Sequence, residues 1–249
     1  MVRSRWLLAY TLCFFVVTGA LLSFDGSGPK ALLSLTNVVL ILIPLVNIVF
    51  GTMYLYNARE FNELLLSQPV NRRQLFGGLY LGLSLPLSAG FLAGVAVPFA
   101  VFGIPDGATA RALLVLALTG VLLTFVFIAL AFLISVRLED KVKGLGVAIA
   151  LWLAFAVLYD GAVLLAVTAF ADYPLERPLV ALMLLNPIDL ARVLLLLQFD
   201  ISALMGYTGA VFQQFFGSAG GAALALLALA LWVAAPVLAA ARAFRRKDF

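Results

Sequence analysis

Charged side chains are scarce in this chain, so the few set among apolar neighbours are the first candidates for chemistry. Asp160 lies within the apolar run 145–171. A carboxyl in such surroundings needs a partner, a water-filled path or a proton. It is therefore a candidate for proton or ion movement, or for a buried hydrogen bond to Tyr159 or to a residue on the second span. Asn186, Asp189 and Arg192 recur every third residue within 178–198, which puts them on one helix face with the acid and the guanidinium able to pair. A third group, Glu60, Glu63, Gln68, Pro69, Arg72 and Arg73, crowds a polar stretch between two apolar runs. Enzymic chemistry has little to work with. The sequence has no histidine and one cysteine, Cys13, so no disulfide within the chain and no His/Cys metal cluster can form. Asp160 has no second acid, nucleophile or base beside it in its run, and Gly26-Ser-Gly-Pro-Lys30 lacks the spacing of a phosphate-binding loop.

The elements that hold these residues follow from composition. Of the 249 residues 65% are apolar and 11% charged, against roughly 45–50% apolar in ordinary globular domains. That balance excludes a soluble enzyme, a disordered chain and a nucleic-acid reader. Lipid offers no partner for a bare peptide group, so apolar runs of about 20 residues should be helices. Six runs qualify, at 6–24, 32–56, 78–102, 112–136, 145–171 and 221–241. Pro44, Pro86, Pro98 and Pro236 fall inside them and are tolerated where neighbouring helices satisfy the freed carbonyls. Asn37 and Asn47 on the second run suit contacts between helices, and Gly90 and Gly94 have the spacing of a close helix approach.

The segment 178–198 is long enough to cross. However, a central Asp or Arg costs about 2.5–3.5 kcal/mol each on insertion. It reads as an amphipathic helix lying on the membrane surface, with 201–216 as a second such helix or a re-entrant piece. With six crossings, twelve of the sixteen Lys and Arg fall on one face, leaving Lys30, Arg111, Arg177 and Arg192 on the other. The positive-inside rule makes the basic face cytoplasmic, and both termini with it. The expected protein is all-α and multi-pass, in a bacterial or archaeal cytoplasmic membrane. Its connecting segments are 57–77 and 137–144 inside, 172–220 outside, and a tail at 242–249. Arg3 and Arg5 before an apolar run also suggest a secretory signal. The run is too long for one, though, and 23–26 is a poor cleavage site. The last three runs show no inverted copy of the first three, against the inverted-repeat transporters.

The loop 57–77 is ordered. Residues 59–68 have helical spacing, Pro69 stops the helix, and Asn71 with Gln74 can cap the next one. A short helix fastened to a span can pass a push from a soluble partner into the membrane. A solvated loop whose arginines only fix topology is the other reading. Arg137-Leu-Glu-Asp-Lys-Val-Lys143, with Glu139 and Lys141, is either a second contact for such a partner or a plain charged turn.

Glu60, Leu64-Leu-Leu-Ser-Gln-Pro-Val and Arg72-Arg73-Gln74-Leu75 resemble the signature of ABC-2 type permeases. The resemblance implies a non-catalytic membrane subunit that pairs with a second copy and with cytoplasmic ATPase subunits, which carry the ATP and Mg; the chain itself would bind no cofactor. It casts Glu60, Glu63, Gln68, Pro69, Arg72, Arg73, Glu139 and Lys141 as the ATPase-coupling surface, and Asn37, Asn47 and Asp160 as the translocation path along spans two and five. The sequence departs from the family pattern at Phe61-Asn62 and Gly77-Gly78, where members often carry Gly-Thr and a Lys. Members usually begin with an amphipathic helix, so either that element is absent or the start lies upstream. Arg3 to Tyr10, Tyr159-Asp160 and Leu184 to Arg192 resemble the narrower NosY-type permeases, associated with maturation of the copper centres of nitrous oxide reductase. That likeness implies an exporter or mechanical relay, with Asn186, Asp189 and Arg192 docking a periplasmic accessory protein. A proton-coupled secondary transporter using Asp160 is the competing expectation; an intramembrane enzyme has no second acid or base to draw on.

Overall fold

The computed structural model describes residues 5–25, 28–66, 71–102, 107–170, 176–198 and 219–246. Every regular element among them is helical: α1 (Arg5–Asp25), α2 (Gly28–Asn57), α3 (Arg59–Leu66), α4 (Arg72–Phe102), α5 (Gly107–Arg137), α6 (Lys141–Leu153), a π-helical turn (Ala154–Leu158), α7 (Tyr159–Ala169), α8 (Glu176–Leu184), α9 (Pro187–Leu196) and α10 (Ala219–Arg246). Six helices are long and apolar enough to cross a membrane, α6 and α7 counting as one through the π turn. The number matches the sequence reading. The helices overrun the apolar runs because polar turns extend them. Thus α4 starts at Arg72 rather than 78, capped by Asn71, whose Oδ1 accepts from the Arg73 N–H at 3.0 Å.

The core is built around α5. Its residues Val126 to Phe132 are buried almost without a break, because α5 packs against α2 on one side and α10 on another, with α4 also in contact. A helix apolar all round belongs in the middle of a bundle. Aromatic side chains fill the gaps between helices. Tyr10, Phe14 and Phe91 meet edge to face across α1 and α4, while Phe76, Tyr80, Phe132 and Phe244 join α4, α5 and α10 near the basic end. The fifth span lies at the periphery. Only Gly144 and Ala148 of it are buried, and Val147, Leu153, Val157, Leu164 and Leu165 form an exposed apolar surface.

Two glycines predicted to allow close approach do so. A Cβ on Gly94 would sit 2.7 Å from Phe14 Cβ and 2.8 Å from the Thr11 carbonyl, and one on Gly90 would sit 2.6 Å from Thr11 Oγ1, so α1 and α4 touch through them. Gly82 faces open space. Gly94→Ala is therefore expected to lower the melting temperature in detergent at a cost of about 1–3 kcal/mol. Gly82→Ala should leave it unchanged or raise it slightly; equal effects of the two would refute the contact.

The segment 178–198 departs from the single surface helix expected of it. It is broken at Leu185–Asn186 into α8 and α9, bent by 111°. α9 is packed inside the bundle. Ile188, Ala191 and Leu195 join the main core, while Leu190, Val193 and Leu194 pack with Ala225 and Leu229 of α10. Two apolar faces drive α9 inward, and the third carries the polar residues toward the fifth span. The second outer helix expected at 201–216 lies outside the described residues.

Candidate functional site

Among the described residues two polar assemblies stand out, one at the basic end of the bundle and one around the middle of the fifth and sixth spans. At the basic end the two short loops form one structure. Tyr56 Oη donates to the Leu138 carbonyl at 2.9 Å, Arg59 Nη1 to the Glu139 carbonyl at 3.5 Å, and Lys141 Nζ to Asn57 Oδ1 at 3.0 Å. Asp140 caps α6, accepting from the Val142 and Lys143 N–H groups at 2.8 and 3.1 Å. Those two backbone bonds, Lys143 first, hold its carboxyl below the ordinary carboxylate range. Gly144 leaves room for Tyr56, since a Cβ there would run into the ring. Arg72 Nη1 donates to the Arg245 carbonyl at 3.1 Å, so the start of α4 is tied to the end of α10.

Upon this platform α3 stands as an eight-residue helix whose Phe61 and Leu64 are 60% and 69% exposed. These two side chains point away from their own bundle, a position suited to a partner's apolar groove. Of the residues expected to couple, Arg72, Glu139 and Lys141 lie in this corner; Glu60 and Glu63 are in α3 with side chains outside the described residues, and Gln68 and Pro69 lie outside them altogether. Arg73 is exposed at the start of α4. Tyr56, Asn57, Arg59, Asp140 and Gly144 complete the corner and were missed. Asp140 had a readable signal, an N-cap residue directly before a helix.

Past the midpoint of the fifth span, Asp160, Asp189 and Arg192 meet. Arg192 Nη1 donates to Asp160 Oδ2 at 2.7 Å and to Asp189 Oδ1 at 3.0 Å, one nitrogen bridging two acids. Asn186 organises the rest. Its Oδ1 accepts from the Ile188 N–H to cap α9, and its Nδ2 donates to Asp189 Oδ2 and to the Phe155 carbonyl, both at 2.9 Å. The Phe155 carbonyl belongs to the π turn, where the ordinary helical ladder is interrupted. The break between α8 and α9 is held from two spans: Tyr159 Oη donates to the Leu182 carbonyl and Trp232 Nε1 to the Leu184 carbonyl at 3.0 Å. Side-chain donors thus satisfy carbonyls near the end of α8.

The three polar residues assigned to docking therefore sit differently from a surface patch. Asn186 is fully buried, and the side chains of Asp189, Arg192 and Asp160 are 5%, 30% and 38% exposed. Asp160 takes its partner from α9, whereas a bond to Tyr159 or to span two was expected. The supposed path residues are not gathered. Asn47 is enclosed between α2 and α5, its Nδ2 donating to Thr124 Oγ1 at 3.1 Å, and Asn37 lies exposed on α2.

A family model described as ABC-2 family transporter protein matches residues 1–249. The chain belongs to the ABC-2 transporter family. This ABC-2 chain is 32% identical over 265 residues to a protein of Pseudomonas aeruginosa named probable ABC transporter permease protein NosY, with 98% of the chain and 94% of that relative covered. It is 29% identical over 262 residues to a protein of the same name from Stutzerimonas stutzeri, with the same coverage. In an ABC-2 chain the helical bundle is the membrane permease part of a transporter, and the corner bearing α3 occupies the place where the sequence signature falls.

Proposed function

We propose that this ABC-2 permease works as a dimer driven by cytoplasmic ATPase subunits, with α3 and the joined corner as the surface they engage. The observation that carries the reading is the fusion of the two short loops into one platform from which α3 projects Phe61 and Leu64 outward. Movement of α3 would reach α2 and α4 directly through the chain, α6 through Tyr56, Asn57 and Arg59, and α10 through Arg72. The positive-inside rule supports a cytoplasmic location for this end and for both termini. The exposed apolar side of span five is the surface offered to lipid or to the second copy.

The kinship with two permeases named NosY, together with the narrower sequence resemblance, supports a role in maturing the copper centres of nitrous oxide reductase. On this reading an accessory protein outside the membrane meets the face opposite the basic end, and the Asn186, Asp189 and Arg192 cluster acts from within the bundle by holding α9 to the fifth span. The absence of histidine and the single cysteine fit a mechanical relay, or a cargo other than bare copper.

The coupling assignment has a direct test. Cys13 is the sole cysteine, so Cys13→Ser gives a cysteine-free background in which Phe61→Cys is the one reactive thiol. A short cross-linker in native membranes is expected to join that position to the ATPase subunit in good yield, and much less from a cysteine at Lys30 on the opposite face. Failure to capture an ATPase at Phe61 would refute the role of α3. In a host that carries the gene, deleting it should abolish nitrous oxide reduction; unchanged reduction would remove the copper-enzyme role while leaving the ATPase coupling intact. Purified permease is expected to transport nothing without the ATPase. Transport by the chain alone, lost in Asp160→Asn, would instead favour the proton-driven carrier.

A further inference from the structure

A cleft of about 510 Å³ opens between α1, α2 and α4 at the basic end of the bundle. Its walls are Trp6 and Leu7 of α1, Val49, Phe50, Met53, Tyr54 and Asn57 of α2, and Leu83, Pro86 and Leu87 of α4. Apart from the Asn57 amide, the Tyr54 hydroxyl and the Trp6 ring nitrogen, the lining side chains are apolar. Trp6 is 69% exposed, so the cleft is open toward the surroundings of the helices rather than sealed inside them. Asn57 and Val49 on this wall lie eight residues apart, about 12 Å at the rise of an α-helix. That depth is close to the hydrocarbon half-thickness of a bilayer, roughly 15 Å.

The rim differs from the walls. Asn57 lines the cleft and accepts a hydrogen bond from Lys141 Nζ at 3.0 Å, which fixes an ammonium beside the mouth. Arg5, directly before Trp6, is exposed as well. The acid next to Lys141, Asp140, is occupied as the cap of α6. An apolar slot one leaflet deep beneath a cationic rim has the chemistry of a phospholipid site: carbon below, phosphate above. Trp6 at the mouth has the amphipathic character that favours the level of the headgroups.

We infer that this cleft holds one acyl chain of an anionic phospholipid from the leaflet at the basic face, with Lys141 and Asn57 at its headgroup. The rim shares Asn57 and Lys141 with the corner, but the apolar walls are separate from α3, so retention of the acyl chain does not depend on an ATPase engaging that helix. The occupant would wedge α1 against α2 and α4 at the point where α2 turns into the cytoplasmic corner.

Native mass spectrometry of the full chain tests this. The protein is purified from nanodiscs containing equal amounts of phosphatidylglycerol and phosphatidylcholine with identical acyl chains. One lipid per chain is expected to survive, enriched about fivefold in phosphatidylglycerol, the effect of roughly one basic residue at an anionic headgroup. Met53→Trp, which fills the slot, should remove the retained lipid of either kind, and Val49→Phe on the same wall should act likewise if the first variant is poorly folded. Lys141→Gln should retain the lipid and abolish the preference. Undiminished retention in both filled variants would overturn the site. A preference that survives Lys141→Gln, or displacement of the lipid by free palmitate at equal concentration, would overturn the assignment of the headgroup.

Discussion

Truncating both exposed anchors of α3, Phe61→Ala with Leu64→Ala, is expected to reduce permease-stimulated ATP hydrolysis to near the level of the ATPase alone. The two side chains are 60% and 69% exposed, so they contribute little to the packing of their own bundle. Their removal should leave insertion and melting temperature unchanged. In an interface the same side chains are the kind that carry binding: truncation of a central apolar anchor costs about 2 kcal/mol or more, roughly thirtyfold in affinity. Reversing the acids of the same helix, Glu60→Lys with Glu63→Lys, should produce a comparable loss by a different force. Charge effects at an exposed surface weaken with salt, whereas apolar contacts do not. Raising the salt from about 0.05 to 0.5 M should therefore narrow the difference between the reversed variant and wild type, and leave the truncated variant's defect in place. Steady-state hydrolysis by the reconstituted complex measures both. Full stimulation in the alanine variant would end the assignment of α3 as the coupling element.

The six spans and the short helix α3 were legible because each rests on a local rule. A run of about 20 apolar residues has one stable solution in lipid, and an Asn placed just before Arg72 announces a helix start. The corner was half legible. Glu139 and Lys141 stood out by charge, yet nothing in one loop names its partner in the other. The bonds from Tyr56, Arg59 and Lys141 cross 80 to 84 positions of sequence, a separation that only the bundle closes.

The segment 178–198 was misread because the full insertion cost of each charge was set against it, although Asp189 and Arg192 could pair, and the contact with Asp160 was not foreseen. A central Asp and a central Arg are expensive when isolated, but here one guanidinium nitrogen serves Asp189 and Asp160 together, and the last lies 32 residues away. The break itself was written plainly. Asn186 followed by Pro187 is an N-cap and a first-turn proline, and Asp189 sits where an acid favours the helix N-terminus. Two helices were therefore encoded where apolar length suggested one. The faces of α9 also mislead. A helix with three polar residues in line looks amphipathic and superficial, until the fifth span is found to present Asp160 and the Phe155 carbonyl to that line.

This arrangement makes Arg192 the residue whose loss should cost the bundle most. Without it, Asp189 is left with a side chain 5% exposed and no cation, and Asp160 faces it across the vacated position. Removing one partner of a buried ion pair costs about 3–5 kcal/mol. Because Arg192 and Asp160 are 30% and 38% exposed, water recovers part of that, and Arg192→Gln should destabilise the protein by roughly 2–3 kcal/mol. The rescue pattern identifies the cause. Asp189→Asn added to Arg192→Gln should restore more than half of the loss, since it deletes the deeper charge and keeps an amide for Asn186. Asp160→Asn should restore less, because its carboxyl already reaches water. Arg192→Lys should retain most of the stability, because both contacts are made by one terminal nitrogen rather than by the guanidinium fork. Unfolding curves in a fixed detergent read these differences. If Arg192→Gln melts with wild type, or if Asp189→Asn rescues nothing, the cluster is not what holds α9 against the fifth span. The same variants separate stability from action at this cluster. Arg192→Lys is expected to support wild-type hydrolysis, whereas Arg192→Gln, examined below its melting temperature, should uncouple hydrolysis from transport by releasing α9 from the span that carries the π turn.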